Sequence, residues 1–230
     1  TQNDGNGENS GHVRVYGFDE SVLTWVQRGQ DIDGESAVIR SGESVSLSAD
    51  GLTVAIGAMY ARPSYFGNGS PWGHASIYRF DGSNWARLGE DILGEEVYDH
   101  AGNSVSLSGD GLTVAVAAKF NNGNGSGSGH VRVFHFDMST LDWYQVGDDI
   151  DGKAYQDYFG RSISLSADGI TLAVGADGND DNGEFSGHVG VYQFSGPHFI
   201  SEMPIHLNSY EGEWVQIGDD INGQAANDRF

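Results

Sequence analysis

The 230-residue chain contains no cysteine. Disulfide scaffolds, thiolate metal sites and cysteine nucleophiles are therefore excluded. Proline is scarce, at 4 residues. No apolar run approaches the ~18 residues of a membrane-spanning helix, so no membrane insertion is expected of this segment. Thr1 opens a polar Gly/Asn stretch with no signal-peptide pattern; a signal cleaved off or lying upstream fits equally well. Basic residues are few, 11 against 33 acidic ones, for a net charge of −22. That excess repels nucleic-acid phosphates and anionic membranes, and leaves cations and basic partners as candidates. The recognisable catalytic and phosphate-loop motifs are missing too: no G-x-S-x-G, H-E-x-x-H or G-x-x-x-x-G-K-[ST] occurs.

What the chain has is glycine, 35 residues of it, set among short runs rich in Val, Ser, Thr and aromatics. Such a composition predicts many short strands and tight turns. The runs repeat. SVSLS-type segments start at Ser44, Ser104 and Ser162. A Gly-His pair recurs at His12, His74, His130 and His188, then a Trp at Trp25, Trp85, Trp143 and Trp214, then Gly-x-Asp-Ile with Asp31, Asp91, Asp149 and Asp220. Within the runs, Val45 and Leu47 alternate with Ser44, Ser46 and Ser48, a period of two. Small residues on the second face of these strands imply that this face is also closely covered. Four antiparallel strands in a unit of roughly 58 residues predict an all-β propeller of four-stranded blades. The expected parts are a half blade at 1–40, blades at 41–100 and 101–158, and a last blade at 159–230 that carries an insertion at 196–212. About three and a half blades of a larger ring, expected to have seven, are therefore present, and the rest of that ring is an expected partner.

Phe159-Gly160, Ala173-Val174-Gly175-Ala176 and Gly187-His188-Val189-Gly190-Val191-Tyr192 resemble the FG-GAP repeat, whose members include the integrin α propeller. The likeness runs through essentially the whole chain; Ser41-Gly42 and Ala101-Gly102 depart from Phe-Gly at the blade starts. The SVSLSxDGxTVAIGA wording is similar to that of algal and marine microbial surface proteins. This resemblance implies a secreted or cell-surface module for adhesion, protein or glycan binding, or structural assembly, and not an enzyme. A propeller hydrolase and a calcium-dependent adhesin are the alternatives.

Asp50-Gly51, Asp110-Gly111 and Asp168-Gly169 each offer one carboxylate, whereas calcium takes six to eight oxygens. They read as hairpin turns, with Gly accepting positive φ. The four repeated histidines read as a structural hydrogen bond made once per blade, and the four tryptophans as inter-blade packing. In antiparallel blades, the blade-to-blade connections share a face with the loops between second and third strands. Those segments hold 22 of the 33 acids, including Asp4, Glu8, Asp149, Asp151, Asp180 and Glu184. This is the expected binding face for a basic partner. Asp177, Asn179 and Asp181 have the 1-3-5 spacing of a calcium loop. Asn68 and Asn124 head N-x-Ser sequons and are candidate glycosylation sites.

Overall fold

Each of the three full repeats folds into one five-stranded antiparallel sheet in the computed structural model, which describes residues 5–62, 70–196 and 212–230. Strands β1 (His12–Val13), β2 (Tyr16–Asp19), β3 (Thr24–Gln27) and β4 (Ile32–Asp33) form two small two-stranded sheets, β1 with β4 and β2 with β3. Next come β5 (Ser44–Leu47), β6 (Thr53–Ala58), β7 (His74–Phe80), β8 (Trp85–Arg87) and β9 (Ile92–Leu93). The third set is β10 (Ser104–Leu107), β11 (Thr113–Ala118), β12 (His130–Asp137), β13 (Asp142–Gln145) and β14 (Ile150–Asp151). The fourth is β15 (Ser162–Leu165), β16 (Thr171–Ala176), β17 (His188–Phe194), β18 (Trp214–Gln216) and β19 (Ile221–Asn222). No helix occurs among the described residues. The architecture is a β-propeller of antiparallel blades. One detail differs from four plain strands: the outermost strand is broken in two, so that β8 and β9 both pair with β7, and likewise in the later blades.

Period-two alternation places the cores between blades rather than within one. Along β11, Val114, Val116 and Ala118 pack with Ala75, Ile77 and Ile92 of the preceding blade. Ala115 and Ala117 point the other way, into a cluster with Leu172, Val174 and Ala176 of the next. Every residue of β6 and β11 is buried, which is why their second faces carry Ala and Gly: blades approach closely there. β5, β10 and β15 run side by side. Leu107 N donates to Ser46 Oγ and Leu165 N to Ser106 Oγ, both at 2.9 Å, so the repeated Ser joins neighbouring blades.

The Asp-Gly pairs are turns. Asp50 Oδ1 accepts from Leu52 N at 2.9 Å and from Ser48 Oγ at 2.6 Å, and Gly51 sits at φ +66°. Asp110 and Asp168 repeat the arrangement with Ser108 and Leu112, and with Ser166 and Ile170. Three of the four repeated tryptophans tie blade to blade, while Trp25 of the first half blade is 67% exposed and does not pack between blades as expected. Trp85 Nε1 donates to Arg28 O, Trp143 Nε1 to Leu88 O and Trp214 Nε1 to Val146 O, at 2.7 to 2.9 Å.

Candidate functional site: the loop face

The face opposite the Asp-Gly turns is built by loops that clasp the crossovers following them. Asn124 Nδ2 donates to Gly152 O at 2.9 Å, Asn6 Nδ2 to Gly34 O at 2.9 Å and Asn182 Nδ2 to Gly223 O at 3.1 Å. A buried serine closes each loop, Ser128 accepting from Asn124 N and Ser186 from Asn182 N at 3.2 Å. The signal was present in the sequence as Asn-x-x-Asn-Gly-x-x-Ser-Gly-His, starting at 3, 121 and 179, and sequence reasoning missed it. Asn124 therefore has the same structural bond as Asn6 and Asn182, neither of which heads a sequon. Asn68 lies outside the described residues, as does Asp4.

The expected calcium loop is taken apart by this scaffold. Asn179 is buried, accepts from Asp181 N at 3.0 Å and donates to Asp157 at 3.4 Å. Asp177 Oδ2 lies 3.4 Å from Arg161 Nε. Asp181 groups with His188 and Asp220 instead. An Asx turn, an ion pair and a separate cluster thus claim the three side chains, so 1-3-5 spacing alone does not make them converge. Of the other acids placed on this face, Asp180 accepts from Phe185 N at 2.7 Å, while Asp149 enters a second cluster described below. Burial, and then the charge of Asp149, pushes the Asp151 carboxyl upward. Glu8 O and Glu184 O receive Val38 N and Asn227 N, each bond joining a loop to the crossover beside it.

Each crossover carries two non-glycine residues with left-handed backbone: Val38 and Arg40, Tyr98 and His100, Gln156 and Tyr158, Asn227 and Arg229. Such a conformation is uncommon outside Gly and is strained for a β-branched or bulky residue. Two sets of bonds hold it. Tyr98 N donates to Pro71 O, Gln156 N to Ser126 O and Tyr158 N to Gly127 O. Between the strained pair, a buried Asp caps the preceding turn: Asp99 accepts from Glu95 N and Glu96 N, and Asp157 from Ala154 N. Burial pushes both carboxyls upward. In the first crossover Ile39 stands in the place of this Asp.

The strain aims aromatic rings at one another across blades. Tyr60 meets His100 at 5.1 Å, His100 meets Phe120 at 5.1 Å and Phe120 meets Tyr158 at 5.6 Å, the last two edge to face. Arg40 lies over Tyr60 at 4.6 Å and Lys119 over Phe120 at 5.0 Å. Along this arc opens a groove of about 510 Å3, lined by Tyr98, His100, Phe120 and Tyr158 with the polar Asn122, Ser126 and Gln156. Burial, and then the neighbouring Lys119, lowers the His100 pKa, so its ring is held neutral. The arc draws on residues that do not repeat in kind, which is why the repeat pattern concealed it.

In the last two blades the repeated histidines leave ring nitrogens without the hydrogen bond expected of them. Both ring nitrogens of His188, and Nε2 of His130, are buried with no hydrogen-bond partner. What each His meets is the Asp of the Gly-x-Asp-Ile segment. Glu95, His130 and Asp149 form one cluster, and Asp181, His188 and Asp220 another, each with donor atoms within 4.8 Å of one another. The Asp comes from the same blade as its His, brought there by the break in the outer strand, whereas Glu95 comes from the crossover that precedes the His130 blade.

Residues 149–192 match the FG-GAP repeat. No curated protein sequence matches the chain. Among solved structures, it is similar to a Bacteroides uniformis protein named as a 6-phosphogluconolactonase, with TM-score 0.59 and 11% identity over 95% of this chain and 50% of that one. It is also similar to the periplasmic gluconolactonase of Pseudomonas aeruginosa, with TM-score 0.45 and 20% identity over 79% and 46% of the two chains. The chain thus spans about half the length of these structures. At such identity the likeness shows the fold alone. It nevertheless overturns the expectation that the chain is not an enzyme: this propeller is also the fold of a protein named as a lactonase, so the architecture gives no ground for excluding catalysis.

Proposed function

Starting from the chain as an FG-GAP repeat propeller, we propose that its loop face binds neutral or cationic glycans at a cell surface, through the aromatic groove. The observation that carries this reading is the line of Tyr98, His100, Phe120 and Tyr158 beside the amides of Asn122 and Gln156. Rigid rings give apolar area to sugar faces, while side-chain amides and hydroxyls satisfy sugar hydroxyls. The net charge of −22 disfavours sulfated or sialylated chains. Titration calorimetry against neutral, amino and sulfated oligosaccharides is the test. We expect binding of the first two classes and none of the third. Tyr98→Ala and Tyr158→Ala should each weaken affinity about tenfold, the equivalent of ~1.4 kcal/mol for one stacked ring. Silence across the panel, or unchanged affinity in both variants, defeats the proposal. A second reading, a basic protein partner, draws on the acids gathered on this face. It differs in showing affinity that falls steeply with salt.

A further inference from the structure

We propose that Glu95, His130 and Asp149 form a binding site for one divalent transition-metal ion, independent of the glycan groove. His130 is 1% exposed, and its Nε2 has no hydrogen-bond partner. Its Nδ1 faces Asp149 Oδ2 at 3.5 Å and Glu95 Oε2 at 3.8 Å. These separations exceed the usual ~2.7–3.2 Å of an N–H···O bond. They do match the edge of a tetrahedron, since donors each about 2.0–2.2 Å from a shared ion stand roughly 3.4 Å apart. The remaining carboxylate oxygens are already anchored. Gln145 Nε2 donates to Asp149 Oδ1 at 2.7 Å, and Arg132 Nη1 lies 3.6 Å from Glu95 Oε1. One oxygen of each carboxylate is thus fixed from behind while the other faces the imidazole, the arrangement that outer partners impose on metal ligands.

Comparison with the other blades shows why this one is singular among the described residues. In each, the repeated Asp beside the repeated His already has a built-in cation. Arg14 takes both oxygens of Asp31 at 2.8 and 2.7 Å. Arg87 takes Asp91 Oδ2 at 3.0 Å, and Ser76 takes Oδ1. Lys153 takes Asp220 Oδ2 and Gln216 takes Oδ1. Arg132 stands where Arg14 stands in the repeat, yet it turns to Leu93 O and the far oxygen of Glu95. Asp149 Oδ2 is left facing His130 with no side-chain cation on it, and Glu95 supplies a second charge. A metal ion fits where the other blades place an arginine or a lysine. A neutral imidazole with two carboxylates suits zinc-like ions, whereas calcium seeks an all-oxygen shell.

The test is titration of the chelator-treated 230-residue protein with Zn²⁺ alone, at 0.15 M salt so that diffuse binding to the acidic surface is screened. We expect one saturable equivalent, tighter than Ca²⁺ by at least tenfold, and a Co²⁺-substituted form with the intense visible bands of a tetrahedral centre. Glu95→Gln, which alters a half-exposed side chain, and His130→Gln should each weaken Zn²⁺ by more than about tenfold. Lys153→Met should free the Asp181, His188 and Asp220 cluster and raise the stoichiometry to two. Circular dichroism of each variant checks that it has folded. Overturning results are the absence of a saturable Zn²⁺ equivalent, equal affinity for Ca²⁺, unchanged binding in folded Glu95→Gln, or one equivalent only in Lys153→Met.

Discussion

Two tryptophans at the same place in the repeat should differ several-fold in what their removal costs. Trp143 is 8% exposed, stands edge to face with Phe136 at 5.2 Å and packs into the core shared by two blades. Its indole N–H donates to Leu88 O at 2.7 Å. Truncating such a side chain costs about 3–5 kcal/mol through lost transfer energy and the cavity left behind. Trp143→Phe keeps most of the ring but strands the Leu88 carbonyl. That carbonyl belongs to a half-buried residue, so about 2 kcal/mol is expected in total. Trp25 stands on β3 of the first small sheets, 67% exposed, with Phe18 as its ring partner at 5.5 Å. Trp25→Ala should cost about 1 kcal/mol, the worth of one aromatic pair with partial burial. Urea unfolding of the 230-residue chain followed by far-UV circular dichroism measures both, since deleting an indole would disturb a fluorescence readout. A Trp25→Ala cost equal to that of Trp143→Ala, with unchanged m-values, would refute the assignment of stability to inter-blade contacts.

Two further outcomes follow from the same geometry. A Cβ at Gly152 would lie 2.0 Å from Ser128 O, a backbone atom that cannot swing aside; Gly152→Ala should cost about 2 kcal/mol or more, read as a lowered thermal midpoint. An unchanged midpoint would show that the loop and crossover are not clamped. His74 is buried among Asp91, Glu35 and Arg87, and burial chiefly lowers its pKa below the usual 6.5. The unfolded chain therefore binds the proton more readily, and the stability His74 contributes above pH 6.5 is lost as pH falls below it. His74→Gln should flatten the decline in unfolding free energy between pH 7.5 and 5, and an identical decline would remove His74 as its source.

Chemistry that recurs once per blade was legible in the sequence. Asp-Gly between alternating runs has one cheap local solution, and Asp50, Asp110 and Asp168 all adopt it. Alternation with small residues on one side foretold β6 and β11 buried on both faces. Reading failed where one residue type at one spacing had two uses. Asp177, Asn179 and Asp181 have calcium spacing, but an asparagine that also closes an Asx turn is already occupied. The histidines read as one structural hydrogen bond per blade, whereas what they face are the Asp residues of the broken outer strand, which pairs straight back onto the start of β7, β12 and β17.

The two candidate sites lie where the repeat is imperfect, and this has a physical basis. Identical blades would bury identical side chains and present identical loops, which supports a ring but singles out no one place on it. The aromatic arc needs Tyr60, Phe120, His100 and Tyr158 at positions where other units carry Gly178 and Arg40. The metal cluster needs Glu95 and a turned-away Arg132 where other units supply Arg14, Arg87 or Lys153 to the repeated Asp. In both cases the scaffold is shared: the left-handed crossover backbone in one, the His-Asp pair in the other. The departures fill it differently. Sequence positions that break the repeat while keeping its backbone are therefore where ligand chemistry is to be sought in this chain.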